Sequence, residues 1–242
     1  MKIIGSYVSP YVRKVLACVH LKGLDYEIDP ITAFYGDEEF ERLSPLRRIP
    51  VLIHEDLVLS DSSAICAYLD ESWPEPPLLP PSPKERARAR WLEEYADTRL
   101  GDVFIWGLFY PKIVHPMIWG EPGDQERIER TRADDVPREM DYLEGQLPDS
   151  GFLFGEEIGL ADISIATFFR NAAYAGFEPD PPAGRGWRAS SGARSPTAAS
   201  KPSCPSKTSS EAPIPRAAAR HCWRPERRSL RRRWGRGSRA RV

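Results

Sequence analysis

The start of the chain alternates between short apolar runs with the period of a strand and a longer segment with the period of a helix. The run Ile3-Ile4 predicts a strand that ends at Gly5. Ser9-Pro10 then predicts a helix start, because a serine oxygen caps free amides and proline needs no donor in the first turn. Gly23 closes that helix, whose apolar face is predicted to hold Val12, Val15, Leu16 and Val19.

A second group of elements completes this region. Residues 26–29 alternate like a strand, the polar segment 31–43 indicates a short helix, and residues 49–53 predict a further strand. Residues 57–59 pair with that strand across a tight turn, and Ser60-Asp61-Ser62-Ser63 opens another helix. The order βαβ, β-hairpin, α predicts a thioredoxin-like α/β domain.

Pro50 lies at the start of one of these strands. Proline has no backbone donor, so it suits the first residue of a strand or an edge. In the thioredoxin-like arrangement a cis proline commonly takes this place, whereas the base rates for an isolated X-Pro bond favour trans. Both forms of the Ile49–Pro50 bond stay open at the level of sequence.

A proline-rich stretch separates this region from the next. Residues 73–83 hold six prolines in eleven positions, which is typical of a stiff linker. Beyond it, helical periodicity predicts helices within 84–108, over 125–147 and after Gly159. We therefore predict a thioredoxin-like domain over 1–72, a linker over 73–83, an all-α helical domain over 84–178 and a basic tail over 179–242.

The net charge of −1 conceals an uneven distribution. Residues 181–242 hold 16 Lys and Arg against 2 Asp and Glu, a net charge of +14, whereas residues 1–180 hold 18 against 33, a net charge of −15. The same terminal segment has one Ile, one Leu, one Val and no Phe. It cannot bury enough apolar surface to offset the entropy of ordering it, so disorder is predicted.

Three explanations of this tail stay open. Its arginines, with Trp234 among them, fit a nucleic-acid-binding arm, although we expect no nucleic-acid partner. A solvated extension without a function also fits. The excess of Arg, Ala, Pro, Ser and Gly fits a GC-rich gene translated in a shifted frame, the explanation that we favour. If the tail is genuine, the helical domain lacks part of its packing.

Several classes of protein are excluded by the sequence. No run of 18 apolar residues predicts a spanning helix, and the start of the chain lacks the apolar stretch of a signal peptide. The four cysteines include no close pair, and the four histidines lack ligand spacing, which disfavours a disulfide scaffold or a zinc site. We predict a reduced, cytoplasmic setting without metal or membrane, and we assign Cys18 and Cys66 to the core.

Four short motifs within residues 1–178 resemble those of the cytosolic glutathione S-transferase family, and the resemblance ends near Phe177. The motifs are Ser9-Pro10-Tyr11-Val12-Arg13-Lys14-Val15, Ser44-Pro45-Leu46-Arg47-Arg48-Ile49-Pro50-Val51-Leu52, Asp61-Ser62-Ser63-Ala64-Ile65 with Tyr68-Leu69, and Gly155 with Ala161-Asp162. Their order and the proline linker make the resemblance specific. It implies a thioredoxin-like domain followed by a helical domain, glutathione as co-substrate, no further cofactor and a homodimer.

The resemblance implies that the thiol of glutathione is bound and ionised. A free thiol has a pKa near 8.5, and lowering it by one to two units needs about 1.4–2.8 kcal/mol of preferential thiolate stabilisation. A helix N-terminus and a donated hydroxyl supply such stabilisation. Ser9 is therefore the predicted catalytic, thiol-stabilising residue. Ser6 and Tyr7 are alternatives, and a role for Ser9 as a helix cap alone also stays open.

The resemblance also implies how the rest of glutathione is held. Asp61 and Ser62 would face the α-ammonium and α-carboxylate of its γ-glutamyl end. A cis bond before Pro50 would turn the Ile49 backbone toward the cysteinyl peptide, and Arg48 would lie near the glycyl carboxylate. Asp61 is one methylene shorter than the Glu or Gln usual in the family. An ordinary N-cap pair and a solvated arginine are the structural alternatives.

Three function hypotheses follow. The first is a detoxifying transferase that joins the glutathione thiolate to a small hydrophobic electrophile. The second is a non-catalytic or inactive truncated member that serves as a binding module. The third, a glutathione-dependent thiol-disulfide reductase, is disfavoured because Ser9 stands where a cysteine is needed and Val12 removes the second sulfur of a CxxC pair. Candidate pocket residues for the first, each also a candidate for core packing, are Trp106, Phe109, Tyr110 and Trp119.

One position departs from the family motif. Gly159 stands where the family usually has Ser or Thr at the N-cap of its core helix. Asp162 would still reach back to the Gly159 amide, as in a capping box. We assign both residues to structure.

Overall fold

A four-stranded mixed sheet opens the chain in the computed structural model. Its strands are β1 (Lys2–Ile4), β2 (Glu27–Asp29), β3 (Val51–His54) and β4 (Leu57–Leu59), in the order β2-β1-β3-β4. β1 is parallel to β2 and antiparallel to β3, and β3 is antiparallel to β4. The structure describes residues 1–31, 37–149 and 151–177, so the predictions for the tail, its disorder included, lie outside the described residues.

Three helices accompany the sheet: α1 (Pro10–Leu21), α2 (Glu38–Leu43) and α3 (Ser62–Ser72). Ser9 is the N-cap of α1, in extended backbone with φ −72° and ψ 128°. Gly23 follows its C-terminus with φ +63°, a conformation that glycine adopts without steric cost. The predicted thioredoxin-like arrangement is confirmed, although the strand expected over 49–53 begins only at Val51 because the backbone hydrogen bonds start after Pro50.

The rest of the described chain is helical. α4 (Pro83–Tyr95) continues through a stretch with π-type hydrogen bonding, π1 (Ala96–Val114), into α5 (His115–Trp119). α6 (Gln125–Arg130), π2 (Thr131–Asp135) and α7 (Val136–Glu144) form a second continuous helix, and α8 (Leu160–Tyr174) is the third. The helix predicted within 84–108 thus extends past Pro111, which is buried, because tertiary packing overrides local propensity. None of the helices in the described ranges is long and apolar enough to cross a membrane.

α8 contributes to the apolar cores of both domains. Leu160 and Ile163 join the cluster formed by the sheet, α1 and α3. Phe168, Phe169 and Ala172 join the cluster of the helical domain, which also holds Leu100, Phe104 and Leu108. α8 therefore packs against both domains. The sheet with its three helices, followed by the helical region, confirms a thioredoxin-like domain followed by a helical domain. The predicted boundaries at 72, 83 and 178 stay predictions.

The start of α8 explains the departure at Gly159. Asp162 accepts from the Gly159 amide and from the Leu153 amide, each at 3.0 Å. The Leu160 amide donates to the Leu78 carbonyl oxygen at 2.8 Å, and a Cβ on residue 159 would lie 3.2 Å from that oxygen. Glycine relieves this crowding, while Asp162 supplies the expected half of a capping box.

Lys22 fastens the proline-rich segment to the first domain. Its ammonium is paired with Asp70 at 2.9 Å and donates to the carbonyl oxygens of Trp73 at 2.5 Å and Pro76 at 2.9 Å. Asp70 also accepts from the Leu78 amide at 2.9 Å. The Lys22–Asp70 ion pair therefore holds the backbone that follows α3 at Trp73, Pro76 and Leu78.

Candidate active site

The three segments that carry the predicted site residues meet at one edge of the sheet. β1 and β3 are antiparallel, so the turn that follows β1, residues 6–9, lies beside Ile49–Pro50, which precedes β3. β3 and β4 are antiparallel, so α3, which follows β4, begins at the same edge. Gly5 permits the close approach, because a Cβ on it would lie 2.6 Å from Val12 Cγ2 and 3.4 Å from Ile49 Cβ.

Ser9 is half-buried at the N-terminus of α1. Its Oγ accepts from the Val12 amide at a long 3.4 Å, and its own amide donates to the Ser6 carbonyl oxygen at 3.0 Å. A serine hydroxyl has one proton to donate and two lone pairs. Within the described ranges no acceptor takes the Ser9 proton, so the cap leaves that proton available to a ligand.

The other hydroxyls near this helix start are placed differently. Ser6 Oγ accepts from the Val8 amide at 3.3 Å, and Tyr7 is 54% exposed. Tyr11 points away from the turn and donates to the Asp97 carbonyl oxygen at 2.8 Å. Burial raises the pKa of Tyr11 to about 12. Ser6 and Tyr7 thus stay possible alternatives to Ser9, whereas the Tyr11 proton is already used.

The peptide bond Ile49–Pro50 is cis, the one of the two forms left open by the sequence that is common in the thioredoxin-like arrangement. Ser44, which is completely buried, holds the loop before it: its Oγ donates to the Arg48 carbonyl oxygen at 2.8 Å and accepts from the Arg48 amide at 3.0 Å. The Arg48 side chain is exposed at this edge. Sequence reasoning missed the role of Ser44, although serine bonding to nearby backbone is a recognisable local pattern.

α3 begins with Asp61 at its N-cap and Ser62 at its first position. One oxygen of the exposed Asp61 carboxylate accepts from the Ala64 amide at 2.9 Å, and Ser62 is 5% exposed. A carboxylate has about four lone-pair sites, so this cap leaves most of the acceptor capacity of Asp61 unused. The capping and binding roles considered from the sequence are compatible at this residue.

The four aromatic residues considered for an electrophile pocket divide into two groups. Phe109 is 6% exposed, with its ring 6.1 Å from that of Tyr174. Trp106 and Tyr110 are half-buried with ring centroids 5.4 Å apart, and the Trp119 indole donates to the Tyr110 hydroxyl at 3.5 Å. Phe109 is therefore a packing residue, and the other three form a partly exposed aromatic cluster.

Lys14, which sequence reasoning did not single out, lies behind the site and is completely buried. Its ammonium pairs with Glu93 at 2.9 Å and Asp97 at 2.5 Å and donates to Ser63 at 3.2 Å. Burial alone would lower the pKa of Lys14, but the carboxylates of Asp97 and Glu93 outweigh it and raise that pKa. The ion pairs join α1 to α4 and π1.

Two cavities of the described chain include none of the predicted site residues. A cavity of about 280 Å³ lies between α3 and α4, lined by Cys66, Asp70, Arg90 and their neighbours, and includes none of the predicted site residues. Among the described residues, no group of three or more His, Cys, Asp or Glu side chains is arranged to hold a metal ion. Cys18 and Cys66 are free and buried, as predicted.

Comparison with known proteins identifies similar chains. Residues 3–77 match a family model described as glutathione S-transferase, N-terminal domain, and residues 125–190 match one described as glutathione S-transferase, C-terminal domain. Glutathione S-transferase U1 of Arabidopsis thaliana is 30% identical over 171 residues, which are 67% of this chain and 67% of that protein. Glutathione S-transferase Z1 of the same plant is 40% identical over 90 residues, covering 36% of this chain and 41% of that protein.

Solved structures give the same picture. The crystal structure of a glutathione S-transferase from Rhodospirillum rubrum F11 superposes with a TM-score of 0.68 at 31% sequence identity. The match covers 74% of this chain and 80% of that chain. The chain therefore shares its fold with that glutathione S-transferase over about three quarters of its length.

Proposed function

The chain belongs to the glutathione S-transferase family, and on that premise we propose that it joins the thiolate of glutathione to a small hydrophobic electrophile with Ser9 as the thiol-stabilising residue. As a member of this family it is a transferase that uses glutathione as its co-substrate. The choice of electrophile, and a role in detoxification, belong to the proposal.

The observation that carries the proposal is the unused proton of Ser9 at the N-terminus of α1. A hydrogen bond to a charged group contributes about 1.5–3 kcal/mol. Such a bond from Ser9 to the glutathione sulfur would lower the thiol pKa by roughly one to two units. The amides and dipole of α1 add to the same effect, because both favour negative charge at a helix start.

The remaining contacts to glutathione follow from the sheet edge. The remaining acceptor sites of the Asp61 carboxylate would accept from the α-ammonium, while Ser62 and the first amides of α3 would donate to the α-carboxylate. The Ile49 backbone would pair with the cysteinyl peptide, next to Pro50. Arg48, exposed at the same edge, would meet the glycyl carboxylate. These groups fix the tripeptide so that its sulfur reaches Ser9.

Substitution of Ser9 tests the proposal. We expect Ser9→Ala to fold and to bind glutathione, but to lose roughly 10- to 100-fold in kcat, because one hydrogen bond to the thiolate is removed. The pKa of the bound thiol, taken from the pH profile of kcat/KM for the chloronitrobenzene at saturating glutathione, should rise. The measurements are turnover of a chloronitrobenzene and binding of glutathione by calorimetry. Ser6→Ala and Tyr7→Phe, which remove the two alternative hydroxyls, are the comparison variants, and we expect both to keep their activity.

Two results would contradict this assignment. Full activity in Ser9→Ala with loss in Ser6→Ala or Tyr7→Phe would move the role to one of those hydroxyls. Folded wild-type protein that binds glutathione without turnover would support the non-catalytic hypothesis instead. We also propose that the protein is a homodimer and that it lies in the cytoplasm. Light scattering on purified protein would test the dimer.

A further inference from the structure

The side chains of Arg13 and Asn171, which the proposed function does not use, hold the backbone of the 6–9 turn. The Tyr7 and Val8 side chains are 54% and 47% exposed. Their carbonyl oxygens nevertheless both accept from Nη1 of Arg13, each at 2.8 Å. The guanidinium thus folds back from the first turn of α1 onto the turn that precedes the helix.

The other nitrogen of the same guanidinium reaches the helical domain. Arg13 Nη2 donates to the Thr167 carbonyl oxygen at 2.6 Å and to Asn171 Oδ1, both in α8. Asn171 Nδ2 in turn donates to the Val8 carbonyl oxygen at 3.2 Å. Asn171 is 1% exposed, so its side chain depends on these bonds for its partners. Loss of one partner would leave buried polar groups unpaired.

We propose that Arg13 and Asn171 are positioning residues that orient the Ser9 hydroxyl toward the glutathione sulfur. The Val8 carbonyl and the Ser9 amide belong to one planar peptide, so a carbonyl held from two sides sets the direction in which the chain enters Ser9. The Ser9 amide then closes the turn on the Ser6 carbonyl oxygen at 3.0 Å. For its kinetic consequence the inference rests on the proposed function of Ser9.

The charge of Arg13 adds a second contribution. Its hydrogen bonds go to oxygens of neutral groups, and in the part of the chain that the structure describes it forms no ion pair. A largely buried cation without a counter-anion favours an anion nearby, which here is the thiolate at the start of α1. Burial lowers the pKa of Arg13 to about 10, so the group is charged at neutral pH.

The test compares three variants with a matched control. Arg13→Gln removes the charge, Arg13→Lys keeps the charge but loses the planar fork, and Asn171→Ala keeps Arg13 intact. The control is Arg170→Gln, because Arg170 is an exposed cation on α8 beside Tyr174 whose charge also acts on Arg13 but which, among the described residues, makes no hydrogen bond to the 6–9 turn. The first readout is amide hydrogen exchange of the 6–12 segment without ligand. The others are kcat, the KM for glutathione, and the pH profile of kcat/KM for the chloronitrobenzene at saturating glutathione.

We expect faster exchange in Arg13→Gln and Asn171→Ala than in the wild type and the control. Arg13→Gln should lower kcat by roughly 10- to 100-fold, with a smaller change in the KM for glutathione, because the tripeptide is held mainly at β3 and α3. The pKa of the kcat/KM profile should rise in Arg13→Gln and return toward the wild-type value in Arg13→Lys.

Unchanged exchange and unchanged pH profiles in the folded variants would overturn the proposal. If Arg13→Gln does not fold, Arg13→Lys and Asn171→Ala decide the question by the same readouts. A wild-type protein that neither binds glutathione nor turns over the chloronitrobenzene would refute the proposed function instead. The exchange comparison, which needs no substrate, would then still show whether Arg13 and Asn171 hold the turn.

Discussion

Individual hydroxyl groups near α1 are distinguished by where their protons go. The Ser9 proton is unused within the described residues, whereas the Tyr11 proton is donated to the Asp97 carbonyl oxygen at 2.8 Å. Only Pro10 lies between the two residues in the sequence. The fold gives them different roles, because the Ser9 hydroxyl can bind a ligand and the Tyr11 hydroxyl joins the domains. Tyr11 also packs edge-on against Phe168, at 5.4 Å between ring centroids.

The environment of Tyr11 gives a prediction for alkaline solution. Its pKa is raised from 10.0 to about 12, mainly by burial and next by Asp97. Between these pH values the unfolded chain loses the phenol proton and the folded chain keeps it. Stability should therefore fall as the pH rises through this window. Spectrophotometric titration should show a late-ionising phenol that Tyr11→Phe removes.

Tyr7→Phe is the control for this titration, because the Tyr7 side chain is 54% exposed. The late part of the curve should persist in that variant. Tyr95, whose pKa is also raised by burial and by its bond to Glu139, contributes to the late part as well. A Tyr11→Phe curve that matches the wild type would contradict the buried, donating phenol.

Among the elements, α8 has the largest influence on the architecture. It packs in both apolar cores and supplies Thr167 and Asn171 to the 6–9 turn. Asp162, the third residue of α8, accepts from the amides of Gly159 and Leu153, so it ties the start of the helix to the loop that precedes it.

Removal of the Asp162 carboxylate should destabilise the protein by about 2–3 kcal/mol, because the Gly159 and Leu153 amides lose their acceptor. Urea unfolding of Asp162→Ala measures this loss. The matched control is Asp124→Ala, which removes one exposed bond to the Arg127 amide at the start of α6. Its loss should be about 1 kcal/mol or less. Equal losses in the two variants would show that α8 does not depend on its cap.

At the scale of the whole molecule, the buried Lys14 joins the domains electrostatically. It lies between Glu93 and Asp97, whose side chains are 8% and 13% exposed. Because these carboxylates raise the Lys14 pKa above its usual 10.5, the stabilisation is complete below that pH. It is lost only as the pH rises through the folded-state value.

Lys14→Met should cost about 3–5 kcal/mol in urea unfolding at neutral pH, because two carboxylates are left buried without a cation. The loss should shrink as the pH falls toward the ordinary carboxyl pKa of about 4, where protonation removes the uncompensated charge. The triple variant Lys14→Met, Glu93→Gln, Asp97→Asn should lose less than Lys14→Met alone. A loss below about 1 kcal/mol in the single variant would indicate that the ion pairs are solvated.

Local signals in the sequence predicted the elements but not these long-range contacts. Ser9-Pro10, Gly23 and Asp61 mark helix ends through interactions within a few residues, so the βαβ order and the helix starts were predictable. The bonds from Arg13 to α8 and from Lys14 to Glu93 span more than 70 positions and depend on how the domains pack. No local pattern encodes them. For the same reason the path of the long helix beyond residue 108, which depends on burial of Pro111, could not be predicted.

Lys22 gives the joint between the domains an unexpected property. Proline-rich connectors are usually pictured as stiff, exposed spacers that are open to proteolytic cleavage. Here the carbonyl oxygens of Trp73 and Pro76 are bound to the buried Lys22 ammonium, so this segment cannot extend into the active site of a protease. The start of the connector is therefore fixed to the sheet domain, and α8, which packs in both apolar cores, ties that domain to the helical one. Glutathione that stabilises the sheet edge should consequently raise the melting temperature of the helical half as well.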